Sequence, residues 1–328
     1  MPRMLYAEAV VEALRRSVEG DDRVHLMGQY FLGLTPHRTM VGDLYRQYPD
    51  RIYFPPIAEL GYVGAGIGAA IAGLRPIVDC ATASFTFQAF AQILNEAANI
   101  HYMSGGQTSV PMVIHYNHGV RGGGAAQHSH SPQAMMWNTP GLEIVTPSNP
   151  ADLIGLVMTA VASDNPTIWV DHVRLFDIEG EVPENVDPIP FGRASIPREG
   201  TDLTVFASSW MVHRSLEAAE LLANEGISVE VVDPRTLVPL DEEAILRSVA
   251  KTGRLLVVDE CHLRCGVGSE IAAIVAEHAY GDLVAPIRRL ATLDVPVPFS
   301  PPLEQYVEPT TAKILAAARS VTGVQSGA

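Results

Sequence analysis

Short, continuously apolar segments alternate with longer helical patterns along this chain, and the alternation restarts after a proline-rich stretch. Continuously apolar strands are expected where helices cover both faces of a parallel sheet. Their alternation with helices therefore indicates an α/β fold. The predicted strands cover residues 24–27, 76–81, 110–115, 142–145, 167–171, 203–207, 228–232, 255–259 and 287–290.

Helical patterns occupy the intervals between these strands. The predicted helices begin near Leu5 and otherwise cover 59–73, 87–98, 152–162, 212–224, 242–250 and 269–278. Residues 176–200 interrupt the alternation with several prolines among acidic residues, as expected of a linker. Because 328 residues suit about two domains, we predict domains over 1–180 and 201–328 joined by a linker at 181–200.

The charge balance and apolar content restrict the classes of partner. With 22 basic and 37 acidic residues the net charge is −15, which repels phosphate backbones and acidic membranes. The longest apolar run, 60–74, is too short for a membrane-spanning helix, and the N-terminal pattern is not that of a signal peptide. Three cysteines form an odd, sparse set, which favours a reducing compartment, and we expect the cytoplasm.

Two glycine- or cysteine-containing motifs do not carry the chemistry that they resemble. GYVGAGIG at 61–68 lacks the preceding strand of a dinucleotide fingerprint and indicates a helix whose small residues allow close packing. CHLRC at 261–265 lacks a second ligand pair for a metal and is interpreted as a loop after a strand. Neither a serine-hydrolase elbow nor a phosphate-binding loop of the nucleotide hydrolases is present.

Three residues are candidates for chemistry, each with a plain structural alternative. Glu59 begins a predicted helix and suits a carboxyl that bonds a protonatable ring nitrogen, or one that interacts with its own helix. His128 follows three glycines and suits a proton donor, or a surface loop without chemistry. Phe85 follows a strand and suits an aromatic platform for a flat cofactor, or a core residue.

Ordered motifs along the chain carry a family resemblance. They are PIAELG at 56–61, GLRPI at 73–77, HYMSGG at 101–106, AQHS at 126–129, PGL at 140–142, TP at 146–147, MVH at 211–213, VDPRTL at 232–237, TGRL at 252–255 and VDE at 258–260. In these motifs the chain, from about Leu5 to Ala318, resembles the beta subunits of thiamine-diphosphate-dependent 2-oxo acid dehydrogenases. That group includes the pyruvate, branched-chain 2-oxo acid and acetoin dehydrogenases.

The resemblance implies two doubly wound α/β domains, a transketolase-like pyrimidine-binding domain followed by a transketolase C-terminal domain. It implies that Glu59 contacts the aminopyrimidine of thiamine diphosphate and favours the tautomer whose nitrogen accepts a proton. Phe85 would stack on the same ring, and Gln88 would also contact the cofactor. His128 would lie near the reacting carbons as a proton donor during decarboxylation or acyl transfer.

The diphosphate half of the family's cofactor site is not found in this sequence. Gly20-Asp21 and Gly281-Asp282 lack the second glycine and the downstream asparagine pair of the family's Mg²⁺-diphosphate motif. We therefore expect an alpha subunit to hold the diphosphate and Mg²⁺, in a heterotetramer that also contains a second beta subunit. The implied activity, present only with that alpha subunit, is oxidative decarboxylation of a 2-oxo acid with acyl transfer to lipoamide on a lipoyl acyltransferase core.

The chain departs from the usual pattern of this family in two places. Gln29 and Tyr30 follow a strand-ending glycine where relatives usually carry acidic residues. A monovalent cation, K⁺, is implied at backbone carbonyls matching Met112, Ala160, Val161, Ser163 and Asn165, and Ser163 replaces a frequent aspartate.

Four other functions remain open at the level of sequence. The chain could belong to an acetoin-cleaving enzyme, or the acyl group could pass to another carrier. It could also be half of a split transketolase acting on sugar phosphates. From a different class, a non-catalytic scaffold subunit could retain the same fold.

Overall fold

A computed structural model describes residues 2–28 and 42–323, and its contacts divide the chain into two units. The first unit comprises Met1–His118 and Met135–Phe191, and the second comprises Gly119–Ala134 and Gly192–Ala328. The division after Phe191 falls within the predicted linker. The sequence pattern contains no sign that segment 119–134 belongs to the second unit, because this segment lies between strands of the first. Gln29 and Tyr30 lie outside the described residues.

A parallel sheet forms the centre of the first unit, in the strand order β6-β7-β5-β4-β2-β3. Its strands are β2 Val24–Gly28, β3 Ile52–Tyr53, β4 Arg75–Thr82, β5 Val113–His118, β6 Glu143–Val145 and β7 Thr167–His172. A separate antiparallel pair consists of β1 Arg3–Leu5 and β8 Glu179–Glu181. The buried, apolar parallel strands confirm the predicted fold class for this unit.

Helices surround this sheet. They are α1 Tyr6–Gly20, α2 Gly42–Gln47, α3 Glu59–Ile71, α4 Ile100–Met103, α5 Gln133–Trp137, whose first two residues belong to the second unit, and α6 Pro150–Ala162, with 3₁₀ turns at Pro49–Arg51 and Val173–Leu175. Asn149 caps α6 because its side chain accepts a hydrogen bond from the Asp152 backbone N–H at 2.9 Å, and Pro150 takes the first helical position.

The helix predicted over 87–98 is helical but is not one α-helix. The chain forms a 3₁₀ helix over Ala83–Ala89 and a π-helix over Ala91–Ala97. Apolar periodicity indicates which face of a helix is buried, but it does not indicate whether each backbone N–H bonds three, four or five residues back, so the type of helix was not predicted. The hydroxyl of Thr86 donates to the Ala83 carbonyl at 2.6 Å within the tighter first part.

The connections at β2 create a crevice in the first unit. From β2 the chain goes to β3 on one side and then to β4 on the other side of β2. In open parallel sheets a crevice forms outside the carboxyl ends of the strands where the connections diverge in this way. Gly28 ends β2 with φ +149°, and a Cβ there would lie 2.5 Å from the Asp79 carbonyl, so only glycine fits this close approach.

The second unit contains a smaller sheet in the order β14-β13-β10-β11-β9. The strands of this unit are β9 Ser195–Arg198, β10 Leu203–Ala207, β11 Val229–Asp233, β12 Thr236–Val238, β13 Leu255–His262 and β14 Arg288–Thr292. Strand β9 pairs antiparallel with β11, whereas the other neighbours in this sheet pair parallel. The sequence pattern predicts the parallel strands of this sheet but does not indicate β9, which lies in the proline-rich stretch.

The helices of the second unit pack on this sheet around an apolar core. They are α7 Trp210–Ala223, α8 Glu242–Thr252, α9 Val267–His278, α10 Pro301–Val307 and α11 Thr311–Thr322, with 3₁₀ turns at Ala126–His128 and Tyr280–Asp282. Asp241 caps α8 by accepting from the Ala244 N–H at 3.0 Å, and Gly253 ends it in the left-handed region. Within the described ranges we find no helix with the length and apolar character needed to cross a bilayer.

Candidate functional site

Glu59 is a buried carboxylate surrounded in sequence by exposed apolar residues. It is the first residue of α3 and is 8 % exposed, whereas its neighbours Ile57 and Leu60 are 76 % and 55 % exposed. The free backbone N–H groups at a helix N-terminus favour a negative charge there. The start of α3 can therefore keep an ionised carboxylate inside an apolar surface.

Two neutral side chains lie close to Glu59. Tyr62 on α3 and Cys80 on β4 share a side-chain hydrogen bond. Burial and the nearby negative charges, including that of Glu59, raise the pKa of the Tyr62 hydroxyl and of the Cys80 thiol. Both groups therefore stay protonated at neutral pH.

A cavity of about 470 Å³ opens beside the start of α3, at the carboxyl ends of β2 and β3. The lining residues are Met27, Tyr53, Phe54, Pro55, Pro56, Ala58, Gly61, Tyr62 and Ala65. Apolar and aromatic walls with few polar groups are typical of sites for small organic molecules. Ala58 lines the cavity and Glu59 follows it at the start of α3, so the carboxylate is adjacent in sequence to a wall that suits a small organic molecule.

Phe85 and Gln88 lie on the 3₁₀ helix that follows β4, and α3 packs against that helix. Phe85 is half-buried and Gln88 is exposed. Because β3 and β4 run parallel to β2, Glu59 and Phe85 both follow strands that end at the same edge of the sheet. The structure thus brings these two predicted residues to the crevice side of the first unit.

His128 belongs to the second unit, in the segment 119–134. It ends the 3₁₀ turn Ala126–His128 and is exposed. Burial and the charge of His262 lower the pKa of its neighbour His130. The predicted site residues are therefore distributed over two units of the chain.

A buried charge network in the first unit was not predicted from the sequence. His115 on β5 is 1 % exposed and lies between Asp79 on β4, 2.9 Å from its Nδ1, and Asp171 on β7, 3.0 Å from its Nε2. Tyr6 and Trp169 donate further hydrogen bonds to Asp171. Since a neutral imidazole has only one N–H, two carboxylate partners require a doubly protonated, positively charged ring.

The network makes stability depend on pH. Burial lowers the pKa of His115, but the hydrogen bonds to Asp171 and Asp79 outweigh it and raise the pKa from 6.5 to about 9. The stabilisation, on the order of 3 kcal/mol, is therefore complete below about pH 6.5 and lost as the pH rises through about 9. Denaturant unfolding between pH 6 and pH 10, roughly the span of the two pKa values, should show this loss. A His115→Gln variant whose stability falls equally over that range would contradict it.

The predicted cation ligands surround the end of α6 and the starts of β5 and β7. Arg75 donates from Nη1 to the carbonyls of Val161 at 2.9 Å and Ser163 at 2.7 Å. The carbonyls of Met112 and Ala160 accept from backbone N–H groups, and Asn165 donates to Glu143. A K⁺ ion here would share two carbonyls with a guanidinium, and its binding stays a prediction.

Among the residues that the structure describes, the cysteine, histidine and acidic side chains form no recognisable metal centre. Across residues 2–28 and 42–323 we find no group of three or more cysteine, histidine or acidic side chains arranged to hold a metal. Cys80, Cys261 and Cys265 are free thiols, and the Cys261 thiol donates to the Ser131 carbonyl at 3.1 Å. Cys261 and His262 are the last two residues of β13, so the loop of the CHLRC segment begins only at Leu263.

Two family models match the chain in succession. Residues 3–176 match the pyrimidine binding domain of transketolase, and residues 192–314 match the transketolase C-terminal domain. The first match contains Glu59, Phe85 and the crevice, and the second contains most of the second unit. These matches confirm the predicted order of the two domain types.

Curated relatives cover nearly the whole chain. The beta subunit of an acetoin:2,6-dichlorophenolindophenol oxidoreductase from Cupriavidus necator is 46 % identical, with 84 % of this chain and 82 % of the relative covered. A pyruvate dehydrogenase E1 beta subunit from Rickettsia felis is 41 % identical, with 96 % and 97 % covered. A 2-oxoisovalerate dehydrogenase beta subunit from Bacillus subtilis is 40 % identical, with 98 % and 99 % covered.

A solved structure shares the fold. It is described as a split gene transketolase in an inactive beta4 tetramer, and it aligns with a TM-score of 0.81 over 98 % of this chain and 99 % of its own. The sequence identity is 24 %, so this likeness concerns the architecture alone.

Proposed function

Because this chain belongs to the transketolase-type family of 2-oxo acid dehydrogenase beta subunits, we propose that it forms the aminopyrimidine-binding half of a thiamine diphosphate site. The observation that carries the proposal is the buried Glu59 carboxylate at the start of α3, beside an apolar cavity. An exposed carboxylate would be hydrated and could not select a ring nitrogen in this way.

The residues of the crevice fit an aminopyrimidine. Glu59 would accept a hydrogen bond from a ring nitrogen and hold the proton there, and Phe85 would stack on the ring face with Gln88 at its edge. Tyr53 and Phe54 would exclude water from the carboxylate. When bound, thiamine diphosphate supplies the carbon nucleophile and the electron sink for cleavage next to a carbonyl.

An alpha subunit completes the site in this proposal. Tyr53 and Phe54 line the cavity, and Ile57 and Leu60 flank Glu59 in the sequence. All four of these side chains are exposed and suit burial against a partner. The partner would hold the diphosphate and Mg²⁺, for which this sequence lacks the motif. A second beta subunit and a lipoyl acyltransferase core complete the assembly that the family implies.

The proposed reaction is oxidative decarboxylation of a 2-oxo acid. The bond between the carboxylate and the carbonyl carbon breaks, carbon dioxide leaves, and the acyl group bonds to one sulfur of lipoamide. The carbonyl carbon is oxidised, the disulfide is reduced, and the second sulfur takes a proton. His128, an exposed histidine on a glycine-rich loop, would donate that proton.

Acetoin cleavage is a second candidate with its own support. The chain is 46 % identical to one acetoin oxidoreductase beta subunit over 84 % of its length and 38 % identical to another over 97 %, values that lie on either side of the 41 % identity over 96 % to the pyruvate dehydrogenase relative. The same crevice and the same Glu59 would serve either substrate, because both reactions cleave a bond adjacent to a carbonyl or hydroxyl carbon on the same cofactor.

Co-expression with a candidate alpha chain tests the proposal. We expect the two chains to co-purify, and the pair, but not this chain alone, to bind thiamine diphosphate with Mg²⁺ and to turn over a 2-oxo acid or acetoin. Activity against a panel of 2-oxo acids, acetoin and sugar phosphates identifies the substrate. Cofactor binding and decarboxylation by the isolated chain would overturn the shared site, and turnover of sugar phosphates alone would indicate a split transketolase.

A further inference from the structure

We propose that two buried glutamates of the second unit, Glu260 and Glu304, are positioning residues that hold the loop carrying His128, which is segment 119–134. Both belong to the same unit as the loop. The inference goes beyond the cofactor site and rests on the proposed role of His128.

Glu304 forms hydrogen bonds to the backbone in the middle of the loop. It lies on α10, is 2 % exposed, and both of its carboxylate oxygens accept from the Gly123 N–H, at 2.8 and 2.9 Å. Gly123 has φ +90°, which an L-residue rarely adopts. A bond to an ionised acceptor in a buried place is stronger than a neutral one and holds this conformation.

Glu260 forms a hydrogen bond to the backbone at the start of the loop. It lies on β13, is 4 % exposed, and its Oε1 accepts from the Val120 N–H at 2.7 Å. The Glu260 carbonyl accepts from the Thr292 hydroxyl on β14 at 2.9 Å, so the glutamate itself is fixed between two strands. The loop is therefore attached to the sheet rather than to another loop.

Hydrogen bonds also hold the part of the segment that follows His128. Gly119 donates its N–H to the His130 carbonyl at 3.2 Å, and the thiol of Cys261, next to Glu260, donates to the Ser131 carbonyl at 3.1 Å. Together with the two glutamates, these bonds fix the segment on both sides of His128.

The loop needs such attachments because its backbone is strained. Ala125 adopts φ +53° with ψ −173°, a region costly for a non-glycine residue, immediately before the turn Ala126–His128. An isolated loop would relax from this conformation and move His128. Two buried carboxylates that accept from loop N–H groups oppose that relaxation, since release would cost each of them a hydrogen bond in a place shielded from water.

Hydrogen–deuterium exchange on the assembled complex tests the attachment directly. Glu304→Ala and Glu260→Ala should each raise amide exchange in residues 119–124 by about tenfold to a hundredfold, since each removes a bond to a charged acceptor. Glu304→Gln keeps one acceptor oxygen and should give a smaller rise. Glu277→Ala, an exposed glutamate on α9 of the same unit, should change nothing.

Kinetics separate positioning from general stability. We expect Glu304→Ala to lower kcat about tenfold or more with KM nearly unchanged, and to add little in a His128→Ala background, because the glutamate acts through that histidine. Unchanged exchange in residues 119–124 overturns the inference, as does an increase spread evenly over the unit in both Glu304→Ala and Glu304→Gln. If exchange rises locally while His128→Ala leaves kcat intact, the attachment stands and the proposed role of His128 fails.

Discussion

Replacing Glu59 by glutamine in the assembled complex is expected to lower kcat by about 10²- to 10⁴-fold, the usual contribution of a positioned acid–base group. The substitution keeps the size of the side chain and its burial, but removes the negative charge that would hold a proton on the ring nitrogen. Turnover of the identified substrate at saturating thiamine diphosphate is the measurement. The cofactor concentration must be varied, so that weaker binding is not mistaken for slower chemistry.

A matched control comes from the same unit. Glu184→Gln makes the same chemical change at an exposed position outside the crevice and should leave kcat within about twofold. Equal kcat values for Glu59→Gln and the unsubstituted complex would contradict the role of Glu59, and would favour a scaffold subunit that retains the fold.

We expect the replacement of His115 by glutamine to lower the free energy of unfolding more than the other substitutions do. Removing one partner of a buried charge pair costs about 3–5 kcal/mol, because the other charges stay buried without compensation. Here two carboxylates, Asp79 and Asp171, lose their shared positive partner. We expect the thermal unfolding temperature of the complex at pH 7 to fall by on the order of 10 °C.

An exposed histidine provides the comparison for this variant. His278→Gln at the end of α9 should shift the unfolding temperature by about 1–2 °C at most. A similar small shift for His115→Gln would show that the imidazolium contributes little and that the two aspartates find other partners.

Local patterns account for what the sequence predicts well. The strand around 24–27 and the helix that begins at Glu59 are confirmed, because apolar runs and helical periodicity depend on neighbouring residues. The position of Glu59 at the start of its helix follows from the same local signal. Its burial does not, since the residues around it are exposed and the crevice depends on where β2, β3 and β4 lie in the sheet.

Non-local pairing accounts for what the sequence misses. His115 lies 36 residues from Asp79 and 56 from Asp171, and only the order β4-β5-β7 and its register bring them together. One signal was available, namely an ionisable residue inside each of three apolar strands. Likewise, Val120 and Glu260 are 140 residues apart, so no periodicity assigns the His128 loop to the second unit.

A structure of this chain in complex with its alpha subunit, thiamine diphosphate and Mg²⁺ would locate the Glu59 carboxylate relative to the cofactor. We expect the Glu59 carboxylate at hydrogen-bonding distance, about 2.6–3.2 Å, from a nitrogen of the aminopyrimidine, with the ring inside the cavity beside α3. A cofactor held entirely by the alpha subunit, with the Glu59 carboxylate facing solvent, would contradict it.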